Sequence, residues 1–160
     1  LMALAGPATI GACLGWTSGA SALLTTSLTL PLSFAAIGAL TLPGLYIGTA
    51  LVGAAPSLQD MARVAVGAMR DQGVAFLGLA PALLFMSATS TDIHESLALG
   101  TVVVFLGALI GVQAFYRRLR ANHAEDSARV GAVFALWTMV SLGLGWEIYL
   151  HILRIGGQLT

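Results

Sequence analysis

The chain has 160 residues; 58% are A, V, I, L, M, F, W, Y or C, 9% are charged, and the net charge is zero. Ordinary soluble domains carry about 25% charged residues, so this balance excludes a disordered chain, a nucleic-acid binder and a soluble enzyme. Cys13 is the single cysteine, which excludes a disulfide scaffold. The composition is that of an integral membrane protein.

No charged residue precedes Asp60. A hydrocarbon core of about 30 Å takes roughly 20 helical residues to cross, so this uncharged stretch holds two spans, predicted at about 2–24 and 30–52. The break between them is placed in the polar run that contains Thr25 and Thr26. The remaining charges cluster at 60–71, 92–95, 117–129 and 147–154, and the apolar runs between the clusters predict spans at about 72–89, 93–116 and 130–153. Strands of a membrane barrel would alternate apolar and polar residues, and the run 101–110 does not. The predicted fold is an all-α polytopic helix bundle forming a single transmembrane domain over 1–160. The chain opens Leu1-Met2 with nothing positive before its apolar stretch, whereas a secretory signal needs a positive n-region. A cleaved signal within these residues is therefore not expected.

Between the second and third spans, Ser57 and Asp60 have the spacing of a helix N-cap and its partner three residues on. Leu58, Met61, Ala62, Ala65 and Met69 then share one face, and Gln59, Arg63, Gly67 and Arg70 the other. This predicts an amphipathic cytoplasmic interfacial helix over about 57–70, its arginines toward anionic lipid. The alternative is an inward extension of the third span.

Gly11, Gly15 and Gly19 repeat at four-residue spacing in the first helix, as do Gly44 and Gly48 in the second and Gly107 and Gly111 in the fourth. Such spacing lets helix backbones approach closely in lipid, although some of these pairs are expected by chance from a glycine-rich composition. Pro31, Pro43 and Pro81 fall within or beside apolar segments. Each removes a backbone donor and kinks a helix. Pro43-Gly44 lies mid-span, where it predicts either a plain kink or a broken helix of the kind that builds transporter sites.

The segment S-L-Q-D-M-A-R-V-A-V-G over 57–67 follows a span ending Leu51-Val52-Gly53 and precedes one containing Leu79-Ala80-Pro81. This order resembles the middle of the Yip-domain small membrane proteins of bacteria, over about 42–81. Gly53-Ala54-Ala55 stands where that family carries a double glycine. The resemblance implies a five-span core with a cytoplasmic amino terminus, and membrane organisation or scaffolding rather than catalysis. It carries over no functional residue.

Positive residues stay on the cytoplasmic side of bacterial membranes. Arg63 and Arg70 lie in one charged segment, and Arg117, Arg118, Arg120 and Arg129 in another; Arg63, Arg70, Arg117, Arg118 and Arg120 are the predicted membrane-surface residues. The turn joining the third and fourth spans is acidic. Five spans then place the amino terminus in the cytoplasm and the carboxyl terminus outside. Seven arginines without a lysine, with abundant alanine and glycine, indicate a GC-rich genome and a bacterial inner membrane.

Groups able to carry chemistry are few. Asp92, His94, Glu95, Glu147 and His151 all fall on the predicted outer side. Imidazoles with carboxylates suit zinc, copper or iron, and ionisable groups at a membrane are functional candidates. The same residues also read as helix capping by Asp92 and Glu95, a local Glu147–His151 pair, and an interfacial belt of Trp146 and Tyr149. The absence of lysine excludes Schiff-base chemistry and a Walker-type phosphate loop, and His123 reads as part of a solvated turn beside Glu125 and Asp126. No catalytic residue and no cofactor is expected. The partners expected are the lipid bilayer and other membrane subunits, or further copies of this chain. The functions open at this point are a non-catalytic scaffold or accessory subunit, a small permease-like module working as an oligomer, and a metal-dependent membrane enzyme.

Overall fold

A computed structural model describes residues 2–16, 19–54, 56–90, 93–121 and 127–155 of the chain. It is all-α. In chain order the helices are α1 (Met2–Gly15), α2 (Ala20–Leu51), α3 (Leu58–Thr89), α4 (Ile93–Ala121) and α5 (Ser127–Ile155). Four of these, α2 to α5, are long and apolar enough to cross a membrane. At 14 residues, α1 is about 21 Å long at about 1.5 Å per residue, short of the core thickness of about 30 Å.

The first span expected at 2–24 is therefore corrected. The chain turns at Gly19, whose φ of 100° lies in the region open to glycine. The Ser/Thr run expected to break the helix lies inside α2 instead. Its hydroxyls donate back to helix carbonyls, Thr25 to Ser21 at 2.9 Å, Ser27 to Leu24 at 3.0 Å and Thr29 to Thr25 at 2.8 Å. A hydroxyl satisfied by its own helix does not interrupt it.

The interfacial helix expected at 57–70 and the span expected at 72–89 are one helix, α3. Ser57 caps it as its spacing predicts: its Oγ accepts from the Asp60 amide at 3.1 Å. Upstream, α2 closes in a Schellman arrangement, with Ala54 N donating to Thr49 O at 2.9 Å and Gly53 N to Ala50 O at 3.1 Å. Gly53 takes the positive φ, 80°, that this turn requires. Of the apolar face expected over 57–70, Met61 and Ala65 are covered by protein, Met69 is half-buried and Ala62 is exposed. Met61, Val64, Ala65 and Ala68 pack with Phe115, Leu119, Val130 and Phe134, because α4 and α5 extend equally far at this end. Leu58 stays 69% exposed. Neither Pro43 nor Pro81 breaks its helix; α2 and α3 run continuously through them, so the discontinuous helix that Pro43-Gly44 allowed is absent from the described residues.

Backbone contact holds α1 in place. A Cβ at Gly6 or Gly11 would collide with the carbonyls of Gly73 and Thr26, and one at Gly73 with that of Met2. Thr26 Oγ1 donates across to Gly11 O at 2.6 Å. Thus α1 lies antiparallel to α2 and parallel to the second half of α3, and it begins at the mid-height of α3. Gly107 packs on Phe76 and Gly48 on Val133. Gly44 and Gly19, expected among the packing glycines, have nothing within 4 Å of a built Cβ. Gly44 faces outward from the bundle, and Gly19 is in the turn.

Two buried clusters occupy the ends of the bundle. One gathers Leu45 with the α3, α4 and α5 residues named above, at the arginine-rich end. The other joins Ile10, Cys13 and Leu14 of α1 to Leu30, Phe76, Leu83 and Tyr149. Between them α3 stays packed with α4 and α2 with α5, and these two groups separate, while α1 packs on both α2 and α3 and lines none of the gap.

Candidate functional site

The space between these two groups is a cavity of about 670 Å³. Its size follows from which residues face it. Gly38 of α2, Ala65 and Ala68 of α3, and Ala108 and Gly111 of α4 line it with small side chains. Larger groups then close its ends. At the arginine-rich end the rings of Phe115 and Trp137 meet with centroids 5.3 Å apart. Trp137 Nε1 donates to Thr41 O at 2.8 Å, tying α5 to α2. At the other end the hydroxyls of Tyr149 and Thr101 lie 3.0 Å apart, tying α5 to α4. Tyr149 is therefore buried in the core and not in the lipid-facing belt where the sequence placed it; Trp146 beside it is 49% exposed.

The mouth opens sideways. Val102 and Phe105 of α4 are 54% and 51% exposed, and with Trp146 of α5 they line both the cavity and the outer surface. In a spanning bundle this surface faces hydrocarbon, so the opening leads into the bilayer and not to water. Ligand cavities of about 300–1,000 Å³ with mostly apolar walls and a few polar groups are the usual binding geometry.

The polar groups in the wall fall into two kinds. Ser33 and Thr41 are satisfied by their own helix, donating to Thr29 O and Ile37 O at 2.7 Å each. Ser141 Oγ is buried and has no hydrogen-bond partner among the described residues, and neighbouring Thr138 Oγ1 is the same. Gln72 lies across the cavity against Gly111, where an added Cβ would come within 3.0 Å of its amide. Among the described residues no charged side chain lines the cavity.

The metal candidates are not brought together by the described residues. Asp92 and the side chain of His94 lie outside them. Glu95 is exposed and accepts from Ser90 Oγ at 3.2 Å. Glu147 and His151 are exposed on α5, and no ion pair joins them among the described residues. Among the described residues no group of three His, Cys, Asp or Glu could hold a metal ion. The predicted membrane-surface arginines Arg63, Arg70, Arg117, Arg118 and Arg120 are all exposed. Arg63 pairs with Asp60 at 3.0 Å, and Arg118 reaches Asp71 across α3 and α4 at 2.7 Å.

Sequence reasoning missed Gln72, Ser141 and the cavity that joins them. Gln72 is simply the first residue of the span predicted at 72–89, and Ser141 lies inside the span predicted at 130–153. Gln72 directly follows Arg70 and Asp71 at the edge of a charged cluster, where a polar residue reads as one more boundary group. Compared with known proteins, the chain matches no family model, no curated protein and no solved structure.

Proposed function

We propose that this chain is a non-catalytic multi-pass membrane protein that holds the hydrocarbon chain of a lipid in the cavity between α2–α5 and α3–α4. The observation that carries this reading is the cavity of about 670 Å³ with its mouth on the lipid-facing side at Val102, Phe105 and Trp146. Every CH₂ transferred from water is worth about 0.8 kcal/mol, but a lipid tail already in the bilayer gains nothing from that transfer. Binding here rests on contact with rigid walls instead, which favours a chain that matches the cavity's length.

Extraction of protein purified in mild detergent tests it. About one lipid chain per protein is expected above a detergent-matched control, and Ala108→Phe, which fills the cavity, removes it. Lipid at control level, or lipid unaffected by Ala108→Phe, overturns the reading.

The arginine-rich end, with Arg117, Arg118 and Arg120 exposed, is proposed to face the cytoplasm of a bacterial inner membrane. The α5 carboxyl end then faces outside. A reporter joined after α5 should score as exported; a cytoplasmic score reverses the orientation.

A second reading, an accessory subunit or scaffold, is favoured by Gly44. It is an open notch on α2 between Leu40 and Ile47, which are 70% and 58% exposed. A partner helix could approach closely there. The resemblance of 42–81 to Yip-domain proteins supports the same reading. Cysteine crosslinking from position 44 to a second chain in native membranes would support it, and crosslinking to lipid alone would oppose it.

A further inference from the structure

The cavity is not uniform along its length. Its α4 wall runs from Thr101 to Phe115, a rise of about 21 Å at about 1.5 Å per residue. Gln72 stands opposite Gly111, about 6 Å from the Phe115 end and about 15 Å from the Thr101 end on the same scale. Ser141 comes to this level from the other side. Since α5 runs antiparallel to α4, with Tyr149 at Thr101 and Phe134 at Phe115, residue 141 falls opposite residues 108–109, less than one helical turn from Gly111. Both side chains line the cavity. The sequence placed them 69 positions apart; the helix pairing brings them within one helical turn of each other in depth.

Ser141 is 9% exposed and its hydroxyl has no partner among the described residues. Burying such a group unpaired costs about 1–3 kcal/mol, and the bilayer core supplies no water to satisfy it. A hydroxyl donates and accepts, and the Gln72 amide offers two donors and an acceptor. Together they suit an oxygen atom on a ligand. A charged head is excluded, because among the described residues no charged side chain lines the cavity to compensate it. A phospholipid is excluded by space: beyond the level of Gln72 and Gly111 the cavity continues only about 6 Å, at about 1.5 Å per residue, before Phe115 and Trp137 close it, which leaves no room for a glycerol-phosphate head.

Resting on the lipid-chain reading above, we infer that the cavity selects a single-chain lipid whose small, uncharged oxygen-bearing head is held by Gln72 and Ser141. The head occupies the short compartment beside Phe115 and Trp137, whose rings present flat apolar faces. The tail extends toward Tyr149. The longer compartment, about 15 Å, equals half of a hydrocarbon core of about 30 Å, one leaflet's depth of chain.

The test uses the full chain in nanodiscs loaded with deuterated hexadecanol, a decyl-tailed benzoquinone or hexadecane, then re-isolated and compared with empty nanodiscs. Wild type is expected to retain an oxygen-bearing probe over hexadecane by about five-fold, the range of one or two net hydrogen bonds. Whether hexadecanol or the quinone is preferred identifies a hydroxyl or a carbonyl as the head. Ser141→Ala and Gln72→Leu are each expected to bring the ratio to about one while hexadecane retention stays at the wild-type level. Equal retention of all three probes by wild type overturns the inference and leaves the lipid-chain reading standing. So does an unchanged ratio in both variants. Retention of none above empty nanodiscs overturns both readings. Because Ser141→Ala deletes a single oxygen, it reports on the hydrogen bond even if Gln72→Leu fails to fold.

Discussion

The indole Nε1 of Trp137 donates to the backbone carbonyl of Thr41 at 2.8 Å, between residues 96 apart in the chain. That bond joins α5 to α2, and the same ring rests on Phe115 and Phe134 with centroids 5.3 Å away in both cases. One side chain thus links three helices and closes the cavity at the arginine-rich end. Its hydrogen bond and its packing can be separated. Trp137→Phe removes the bond and keeps most of the ring, so a loss of about 1 kcal/mol is expected. Trp137→Ala also removes the floor of the cavity and should cost about 3–5 kcal/mol. Thermal unfolding in detergent distinguishes them; equal losses would show that the ring contributes nothing by packing.

The glycines differ in what surrounds them, and alanine should report this. At Gly73 an added methyl would collide with the Met2 carbonyl and at Gly6 with that of Gly73. Backbone cannot move aside as a side chain end can, so Gly73→Ala is expected to separate α1 from α3 and lower stability by about 2 kcal/mol, within the range seen for overpacking. Gly44 is helical with open space around it. There Gly44→Ala should raise stability by about 0.5–1 kcal/mol through backbone entropy. Unfolding midpoints that move in the same direction for both would contradict the packing described.

Gly19 gives a third outcome. Nothing lies near it, yet its φ of 100° is strained for any residue with a Cβ. Gly19→Ala should therefore destabilise by about 1 kcal/mol or more despite the free space. Gly19→Asn should be milder, because asparagine tolerates positive φ better.

The Arg118–Asp71 pair is direct, at 2.7 Å, but its side chains are 45% and 42% exposed. Solvent screening reduces such a pair to less than about 1 kcal/mol. A double-mutant cycle with Arg118→Ala and Asp71→Ala should give a coupling below that value which falls further in high salt. A salt-independent coupling would mean that the pair is desolvated in the membrane.

Several features were legible without coordinates because they depend on local chemistry alone. The spacing of Ser57 and Asp60 is enough for the cap of α3, since both ends of the bond lie within one turn. The same holds for the helical nature of the apolar runs, whose backbone groups must pair internally in lipid. The Thr25–Thr29 stretch was misread because a hydroxyl can end a helix or bond back to it, and the choice depends on neighbours. Here Thr26 reaches Gly11 as well as Ala22, and the first of these contacts exists only because α1 is folded against α2.

Composition and charge placement alone determined that the chain is a helical membrane protein with its cations clustered near particular helix ends. Both follow from the cost of charge and unpaired backbone in hydrocarbon, which acts on each segment separately. Tertiary structure decided that 58–89 is one helix, that Tyr149 turns inward to Thr101, and that Gln72 and Ser141 line one cavity. Those outcomes depend on which helix faces cover one another. In lipid that choice is made by close packing between small and large side chains rather than by hydrophobicity, and hydropathy along a single chain does not encode it.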